Sequence, residues 1–123
     1  MKKSRESESS GIYELQQAVQ EFNDNRNWSK YHSPRNLAMA ISVEASELLE
    51  LFLWASDDGP QPPVEGREEK VEEEVGDVLI TLLNFCSATG IDPVRAARLK
   101  LEKNKVKYPV EISKGRLEKH NEL

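Results

Sequence analysis

The sequence predicts an all-α protein, a bundle of about four helices joined by short connections. Apolar residues recur at intervals of three and four through most of the chain, which is the spacing of amphipathic helices. The pairs Ser33–Pro34 and Asp92–Pro93 each place a helix-capping side chain before a proline, a frequent start of a helix. No segment alternates polar and apolar residues over a useful length, so β-strands are not predicted.

Two helices are predicted in the N-terminal half of the chain. The apolar stripe of the first helix consists of Ile12, Leu15, Val19 and Phe22. The spacing breaks down between residues 23 and 32, and the second helix then runs from Pro34 to about Ala55. The apolar stripe of the second helix consists of Leu37, Ile41, Leu48, Leu51 and Ala55.

Two further helices are predicted after a loop from Ser56 to Gly66, whose three prolines and two glycines no helix tolerates. The third helix ends at Gly90, a residue type that commonly terminates helices. The fourth helix follows Asp92–Pro93 and ends near Tyr108, because Pro109 comes next. The apolar stripes consist of Val71, Val75, Val78, Leu82 and Phe85 in the third helix and of Val94, Ala97 and Leu101 in the fourth.

One helical domain is expected at residues 11–112, because 123 residues allow a single compact core. Residues 1–10 and 113–123 are charged and polar with little to bury, so we expect a disordered arm and a flexible tail. Hydrophobic residues make up 37% of the chain and charged residues 32%. A chain with so few hydrophobic and so many charged residues has little to form a core, which favours a homo-oligomer in which copies of the chain bury further apolar surface.

The composition also disfavours several classes of protein. Asp and Glu outnumber Lys and Arg by 22 to 17, which argues against a nucleic-acid partner. No apolar run approaches the roughly 18 residues that span a bilayer, and the polar start lacks a signal-peptide pattern. We therefore expect a cytoplasmic protein with no membrane partner. The single cysteine, Cys86, excludes an intrachain disulfide and is expected to be a buried structural thiol.

Four acidic residues interrupt the apolar pattern of the second and third helices. They form two pairs with i, i+3 spacing, Glu44 with Glu47 and Glu74 with Asp77, so each pair lies on one helix face. Two such pairs facing each other in a bundle would repel, and a divalent cation would remove that cost. Ligands that are all oxygen favour Mg²⁺ or Mn²⁺ over zinc. The alternative is that they are surface acids beside the acidic run EEKVEEEVGD.

A second group combines aromatic and basic residues that could contact a nucleotide. Aromatic rings stack on bases, and basic side chains neutralise phosphate oxygens. The alternative is that the rings belong to the core or to an interface, that the histidine is an ordinary loop residue, and that the basic residues face water. The group consists of Trp28, Tyr31, His32, Arg35 and Trp54 and of Asn104, Lys105, Lys107 and Tyr108.

Two common motifs are absent from the sequence. The chain has no Gly-x-x-x-x-Gly-Lys-Ser/Thr loop, which excludes a P-loop NTPase. It has no Glu-x-x-His, which argues against a ferritin-like di-iron bundle.

Three segments in this order resemble one family. RNWSKYHSPRNLAMAISVEASELLELFLW, EEEVGDVLITLL and KNKVKYPV are similar to the MazG-like all-α nucleoside triphosphate pyrophosphohydrolases, and within that superfamily to the dCTP pyrophosphatases. The resemblance covers about residues 12–115 and implies a helical fold, dimers paired into tetramers, and pockets completed by neighbouring subunits. The family pattern Glu-x-x-Glu followed by Glu-x-x-Asp binds Mg²⁺ and maps onto the two acidic pairs.

The resemblance also implies a set of substrate contacts. In this sequence they are Trp28, His32, Trp54, Thr81, Asn104, Lys107 and Tyr108. Two positions depart from the dCTP enzymes, because Val19 stands where they have a histidine and Thr81 where they have a tyrosine. Both positions belong to the substrate pocket, so the chemistry should carry over better than the choice of base or sugar.

The expected activity follows from this resemblance. A dNTP, most directly dCTP or a modified dCTP, would be converted to dNMP and pyrophosphate, which clears unwanted nucleotides from the pool. Glu47 is the first candidate to orient or deprotonate the attacking water. The alternatives are the same reaction on dUTP or on a purine or modified dNTP, and a non-catalytic helical interaction module.

Overall fold

The computed structural model describes residues 3–53 and 66–115, and these residues form helices and turns without a β-strand. The predicted all-α fold is confirmed, with four long helices. The helices are α1 Lys3–Asn25, α2 Pro34–Glu50, α3 Glu68–Thr89, α4 Pro93–Lys107 and the short α5 Val110–Ser113. A 3₁₀ turn, Ser29–Tyr31, stands between α1 and α2.

The predicted helix signals act as expected at α2, α3 and α4. The Ser33 hydroxyl accepts a hydrogen bond from the Asn36 amide, and the Asp92 carboxylate accepts from the amides of Val94 and Arg95. Gly90 ends α3 in the left-handed region, with φ of 72°. Hydrogen bonds and backbone conformations within a few residues therefore mark these ends.

Helix α2 ends at Glu50, earlier than the predicted end near Ala55. The amides of Leu51 and Phe52 donate to the carbonyls three residues before them, so the last turn tightens and the α-helix stops. Arg67, at the start of α3, donates to the Leu51 carbonyl. This bond ties the end of α2 to the start of α3.

Several predictions fall partly or wholly outside the described residues. They are the predicted proline-rich loop up to residue 65, Ala55, Trp54, and the tail beyond residue 115. Helix α1 begins at Lys3, within the segment for which the composition predicts a disordered arm. The boundaries at residues 10 and 112 stay predictions.

The described chain falls into two compact units, which divide after Ile91. In the first unit α3 packs against both α2 and α1. Its core centres on α3, where Leu83 is only 1% exposed and Cys86 is buried as predicted. The other buried apolar residues are Val19 of α1 and Leu37 of α2.

The predicted apolar stripe of α3 is partly wrong, since Val75 and Leu82 are exposed. Apolar residues occupy several adjacent positions around Leu83, so more than one helix face satisfies the periodicity. Packing against two helices selects the face that carries Leu83 and Cys86.

Large apolar side chains remain exposed on both units. Met39, Val43 and Leu49 of α2 are each more than half exposed, and in the second unit so are Leu99 and Val106 of α4. No single helix in the described part of the chain is long and apolar enough to cross a bilayer.

Candidate metal centre and adjoining pocket

The two acidic pairs meet between α2 and α3. Each pair occupies one turn of its helix, and the packing of α2 on α3 brings the two turns together. Glu44, Glu47, Glu74 and Asp77 each offer one carboxylate oxygen, and these four oxygens lie within 4.8 Å of one another. The tie between Arg67 and the Leu51 carbonyl sets the neighbouring ends of the two helices against each other. We call these four residues the carboxylate cluster.

Two oxygens of the carboxylate cluster are buried without a hydrogen-bond partner. They are Oε2 of Glu44 and Oε2 of Glu74, and among the described residues neither meets a donor. None of the four carboxylates takes part in a salt bridge within the same part of the chain. Buried polar atoms are almost always paired, so these two oxygens require a partner that the described residues do not supply.

The electrostatics of the cluster lead to the same conclusion. Burial raises the pKa of Glu44, and the nearby Glu47 carboxylate raises it further. Burial also raises the pKa of Glu74, with Glu47 and then Asp77 adding repulsion. Proximity and burial thus disfavour the ionised forms that the cluster would carry at neutral pH.

This donor set fits a hard divalent cation. Mg²⁺ and Mn²⁺ take carboxylate oxygens, and a positive charge would both pair the buried oxygens of Glu44 and Glu74 and offset the mutual repulsion. The cluster has neither a histidine nor a cysteine, so its chemistry does not suit zinc.

A pocket of about 340 Å³ lies in the first unit, bounded by α1, α3 and the segment that follows α1. Its walls are mainly apolar, and its polar side chains are two asparagines and one histidine. The lining residues are Ala18, Val19, Phe22, Asn23, Trp28, His32, Ile80 and Asn84. We call this space the α1–α3 pocket.

Trp28 owes its position to the way α1 ends. The Trp28 amide donates to the Asn23 carbonyl and the Asn27 amide to the Asp24 carbonyl, while Asn27 adopts the left-handed region with φ of 56°. This is a Schellman closure, with asparagine in the place where glycine is commonest. The chain turns back, and the Trp28 ring meets Phe22 edge-on with centroids 5.5 Å apart.

The carboxylate cluster and the α1–α3 pocket both include residues of α3. Glu74, Asp77, Thr81 and Asn84 follow 3–4–3 spacing and therefore share one helix face. Seven residues separate Asp77 from Asn84, which is about 10 Å along the helix axis. A ligand lying along this face would meet acidic side chains at one end and an amide at the other.

The residues predicted to contact substrate fall into several places. Trp28 and His32 line the α1–α3 pocket, and Trp54 lies outside the described residues. Thr81 is buried, and its hydroxyl donates to the Asp77 carbonyl at 2.7 Å. The structure therefore brings together the carboxylate cluster, Trp28, His32 and Thr81 within the first unit.

The remaining predicted residues belong to the second unit. Asn104, Lys107 and Tyr108 lie at the C-terminal end of α4. A side-chain hydrogen bond with Lys107 lowers the pKa of Lys100, and the repulsion between the two ammonium groups lowers it further. This end of α4 is thus a concentration of positive charge.

Sequence reasoning missed five of the pocket residues, which are Ala18, Phe22, Asn23, Ile80 and Asn84. Phe22 was assigned to an apolar stripe, but it is exposed and lines the pocket. Asn84 does carry a signal, since it is an amide within the apolar run around Leu83. Asn23 carries none, because it lies where the helical spacing of α1 breaks down.

The chain is similar in sequence to a known protein family and to several known proteins. A family model for the MazG-like family matches residues 39–123. Over 105 residues the chain is 39% identical to dCTP pyrophosphatase 1 of Rattus norvegicus and 35% identical to dCTP pyrophosphatase 1 of Homo sapiens. Each match covers 84% of this chain and 62% of the relative, so the chain spans less than two thirds of these proteins.

A solved structure is also similar. The crystal structure of a pyrophosphatase from Archaeoglobus fulgidus superposes with a TM-score of 0.76 at 48% sequence identity. The superposition covers 80% of this chain and 93% of that one.

Proposed function

The chain belongs to the MazG-like family, and from that membership we propose that it is a metal-dependent nucleotide pyrophosphohydrolase. The proposed reaction converts a deoxynucleoside triphosphate and water to the monophosphate and pyrophosphate. dCTP or a modified dCTP is the proposed substrate, because the mammalian relatives are dCTP pyrophosphatases. The observation that carries the proposal is the carboxylate cluster, in which each residue offers one oxygen within 4.8 Å of the others and Glu44 and Glu74 each have a buried oxygen without a partner among the described residues.

Glu44, Glu47, Glu74 and Asp77 would hold Mg²⁺, with Mn²⁺ as the second choice. Bound there, the cation supplies positive charge that offsets the charge of the triphosphate and of the pyrophosphate leaving group. The side chains already meet, so little reorganisation is needed before the ion binds.

Glu47 is the proposed catalytic residue. Its carboxylate neighbours both Glu44 and Glu74, so it lies where the two helices contribute to one cluster. A carboxylate there would hold the attacking water and accept its proton as the water oxygen bonds to the α-phosphorus. The bond from the α-phosphorus to the bridging oxygen then breaks, and pyrophosphate leaves with the electron pair.

The α1–α3 pocket is the proposed site for the base. Trp28 supplies an aromatic wall that Phe22 supports from the side, and base–aromatic stacking is worth about 1–3 kcal/mol. His32 adds a polar group to the same wall. The Thr81 hydroxyl already donates to the Asp77 carbonyl, so its proton is not available to the substrate. Thr81 is therefore proposed to influence only the shape of the site near Asp77.

The roles of four further residues rest on the resemblance to the family. Trp54 is proposed to face the base, Lys107 to contact the phosphates, and Asn104 and Tyr108 to bind the substrate. The positive charge at the end of α4 suits a triphosphate, because Lys ammonium groups pair with phosphate oxygens.

A homo-oligomer, dimer or tetramer, is the proposed assembly. The exposure of Met39 and Val43, which lie one turn apart on α2, supports it, since exposed apolar surface on one helix face is typical of contact sites.

The test is a panel of dNTPs and NTPs incubated with Mg²⁺, with products separated by chromatography. We expect monophosphate and pyrophosphate in equal amounts, loss of turnover in EDTA, and loss in Glu47→Gln. Glu72→Gln is the matched control, because Glu72 is an exposed acid of α3 outside the cluster. Release of orthophosphate would contradict attack at the α-phosphorus, and no turnover of any nucleotide would contradict the proposed enzyme.

A further inference from the structure

Two amides lie in the wall of the α1–α3 pocket and bind each other. Asn23 Nδ2 of α1 donates to Asn84 Oδ1 of α3 at 2.9 Å. Asn23 is only 3% exposed, and most other residues around the pocket are apolar. An amide pair placed in such surroundings is costly unless its hydrogen-bonding capacity is used.

The bond between the two amides uses part of that capacity. An asparagine side chain has two N–H donors and a carbonyl with two lone pairs. Within the described residues, neither side chain makes a second side-chain hydrogen bond. The carbonyl of Asn23 and the Nδ2 of Asn84 therefore remain as one acceptor and one donor on two bonded side chains.

We propose that the Asn23–Asn84 pair binds the hydrogen-bonding edge of a pyrimidine base, an inference that rests on the nucleotide site proposed above. Asn84 shares the face of α3 with Asp77 and stands about 10 Å from it along the axis. This separation is comparable with that between the α-phosphate and the far edge of the base in one nucleotide. A nucleotide with its phosphates at the carboxylate cluster thus brings its base edge to the two amides.

The pair accepts two kinds of base edge. If both amides turn over together, Asn84 Nδ2 donates to Asn23 Oδ1, and the bond between them is kept. The outward groups are then exchanged, with the donor on Asn23 and the acceptor on Asn84. One orientation matches the amino group and N3 of cytosine, and the other matches the O4 and N3–H of uracil. The substrate class is therefore pyrimidine nucleotides of both kinds, with cytosine and uracil bound within about tenfold of each other.

A purely structural role would have different consequences. In that case the two amides only fasten α1 to α3, and their removal would weaken all nucleotides alike. The chain contains a matched control for this role, because Gln16 Nε2 donates to Ser87 Oγ at 2.9 Å between the same helices. Neither Gln16 nor Ser87 lines the pocket.

The experiment measures binding of three monophosphates by calorimetry, with full-length protein and Mg²⁺. The ligands are dCMP, dUMP and the analogue of dCMP that carries 2-pyrimidinone, a base with hydrogen in place of the C4 substituent. The variants are the double substitution Asn23→Ala/Asn84→Ala, the volume-preserving Asn23→Leu/Asn84→Leu, and Ser87→Ala. Both double variants remove the two amides together, so that neither is left buried without its partner.

We expect the wild type to prefer dCMP and dUMP over the analogue by about tenfold or more. This preference should fall to near one in both double variants and persist in Ser87→Ala. An equal loss for all three ligands in the double variants would overturn the proposal. A wild type that binds dCMP more than a hundredfold tighter than dUMP, or the reverse, would overturn the exchange of orientation.

The same panel as triphosphates separates this inference from the proposed function. Hydrolysis with unchanged base ratios in the double variants would overturn the amide pair and leave the enzyme standing. Binding of the three monophosphates with the expected ratios, but no hydrolysis of the triphosphates, would overturn the proposed enzyme and leave the role of the amide pair standing. If the protein showed neither the expected binding ratios nor hydrolysis, both the amide-pair proposal and the proposed function would be overturned.

Discussion

The two ends of the polar face of α3 meet their surroundings in opposite ways. At Glu74 and Asp77 the neighbours are carboxylates of the same charge, and two buried oxygens lack a partner among the described residues. At Asn84 the neighbour is a complementary amide, and the ring of Trp28 is held by Phe22. The acidic end is thus the end at which we propose a bound ion, whereas the amide end is formed by the chain itself. One helix face can therefore hold both a cluster of mutually repelling groups and a site whose groups already bind each other.

The largest effect is expected at the acidic end, in catalysis. Glu47→Gln removes the proposed base and should lower kcat by about 10²- to 10⁴-fold, the usual contribution of general base catalysis. The amide end should be untouched, so binding of dCMP is expected to stay within a few-fold of wild type. Steady-state kinetics with the Glu72→Gln control measures the first effect and calorimetry the second. Retention of most activity would show that Glu47 is not the base.

Binding of Mg²⁺ at the acidic end can be measured as an increase in the thermal stability of the protein. Mg²⁺ at a hundred times its Kd should stabilise the fold by about 2.7 kcal/mol, which is roughly 10 °C in Tm for a chain of this size. Glu44→Gln should abolish most of this shift, because it removes a ligand and a charge. Thermal melts with and without Mg²⁺ test this, with Glu72→Gln again as control. An unchanged Tm on adding Mg²⁺ would contradict the metal site.

At the amide end the corresponding test is Trp28→Ala. Loss of stacking should raise KM about tenfold, within the 1–3 kcal/mol range for a base on an aromatic ring. The Mg²⁺-dependent shift in Tm should remain, since Trp28 lies in the α1–α3 pocket and not in the cluster. Tyr31→Ala is the control, because that ring is 63% exposed and does not line the pocket. Equal effects of the two substitutions would argue against Trp28 as the wall for the base.

The smallest effect concerns pH in the absence of metal. The pKa values of Glu44 and Glu74 are raised above their ordinary 4.5, so the folded chain retains protons that the unfolded chain has released. Their contribution to stability is therefore fully present below pH 4.5 and is lost as pH rises through the raised values. In EDTA, Glu74→Gln should show a smaller fall in Tm than wild type as pH rises from 4.5 to 7. If the curves of Tm against pH were parallel for Glu74→Gln and the wild type, the raised pKa of Glu74 would be contradicted.

The contrast between the two ends also explains what the sequence could predict. The acidic pairs were visible because i, i+3 spacing is local and because charge interrupts an apolar pattern. The start of α2 at Ser33 and the end of α3 at Gly90 were visible for the same reason, since caps act within a few residues. Their roles as metal ligands and catalyst stay predictions.

The amide end could not be predicted, because its parts are distant in sequence. Asn23 and Asn84 are 61 residues apart, and only the packing of α1 on α3 brings them together. The buried face of α3 was misjudged for a related reason, since several faces near Leu83 are apolar and tertiary contacts choose among them. The early end of α2 depends on a tightened last turn that residue types do not signal.

The Schellman closure at the end of α1 places part of the proposed base site within one short segment of the chain, which could be transferred to another protein. Six consecutive residues, Asn23 to Trp28, contain the turn, one amide of the pair and the aromatic wall, and the backbone hydrogen bonds that close the turn join residues within the segment. Asn27 holds the turn in a conformation that a β-branched residue would resist. A library aimed at new base preferences could therefore keep this segment constant and vary α3 opposite it, or graft the segment onto another helical scaffold.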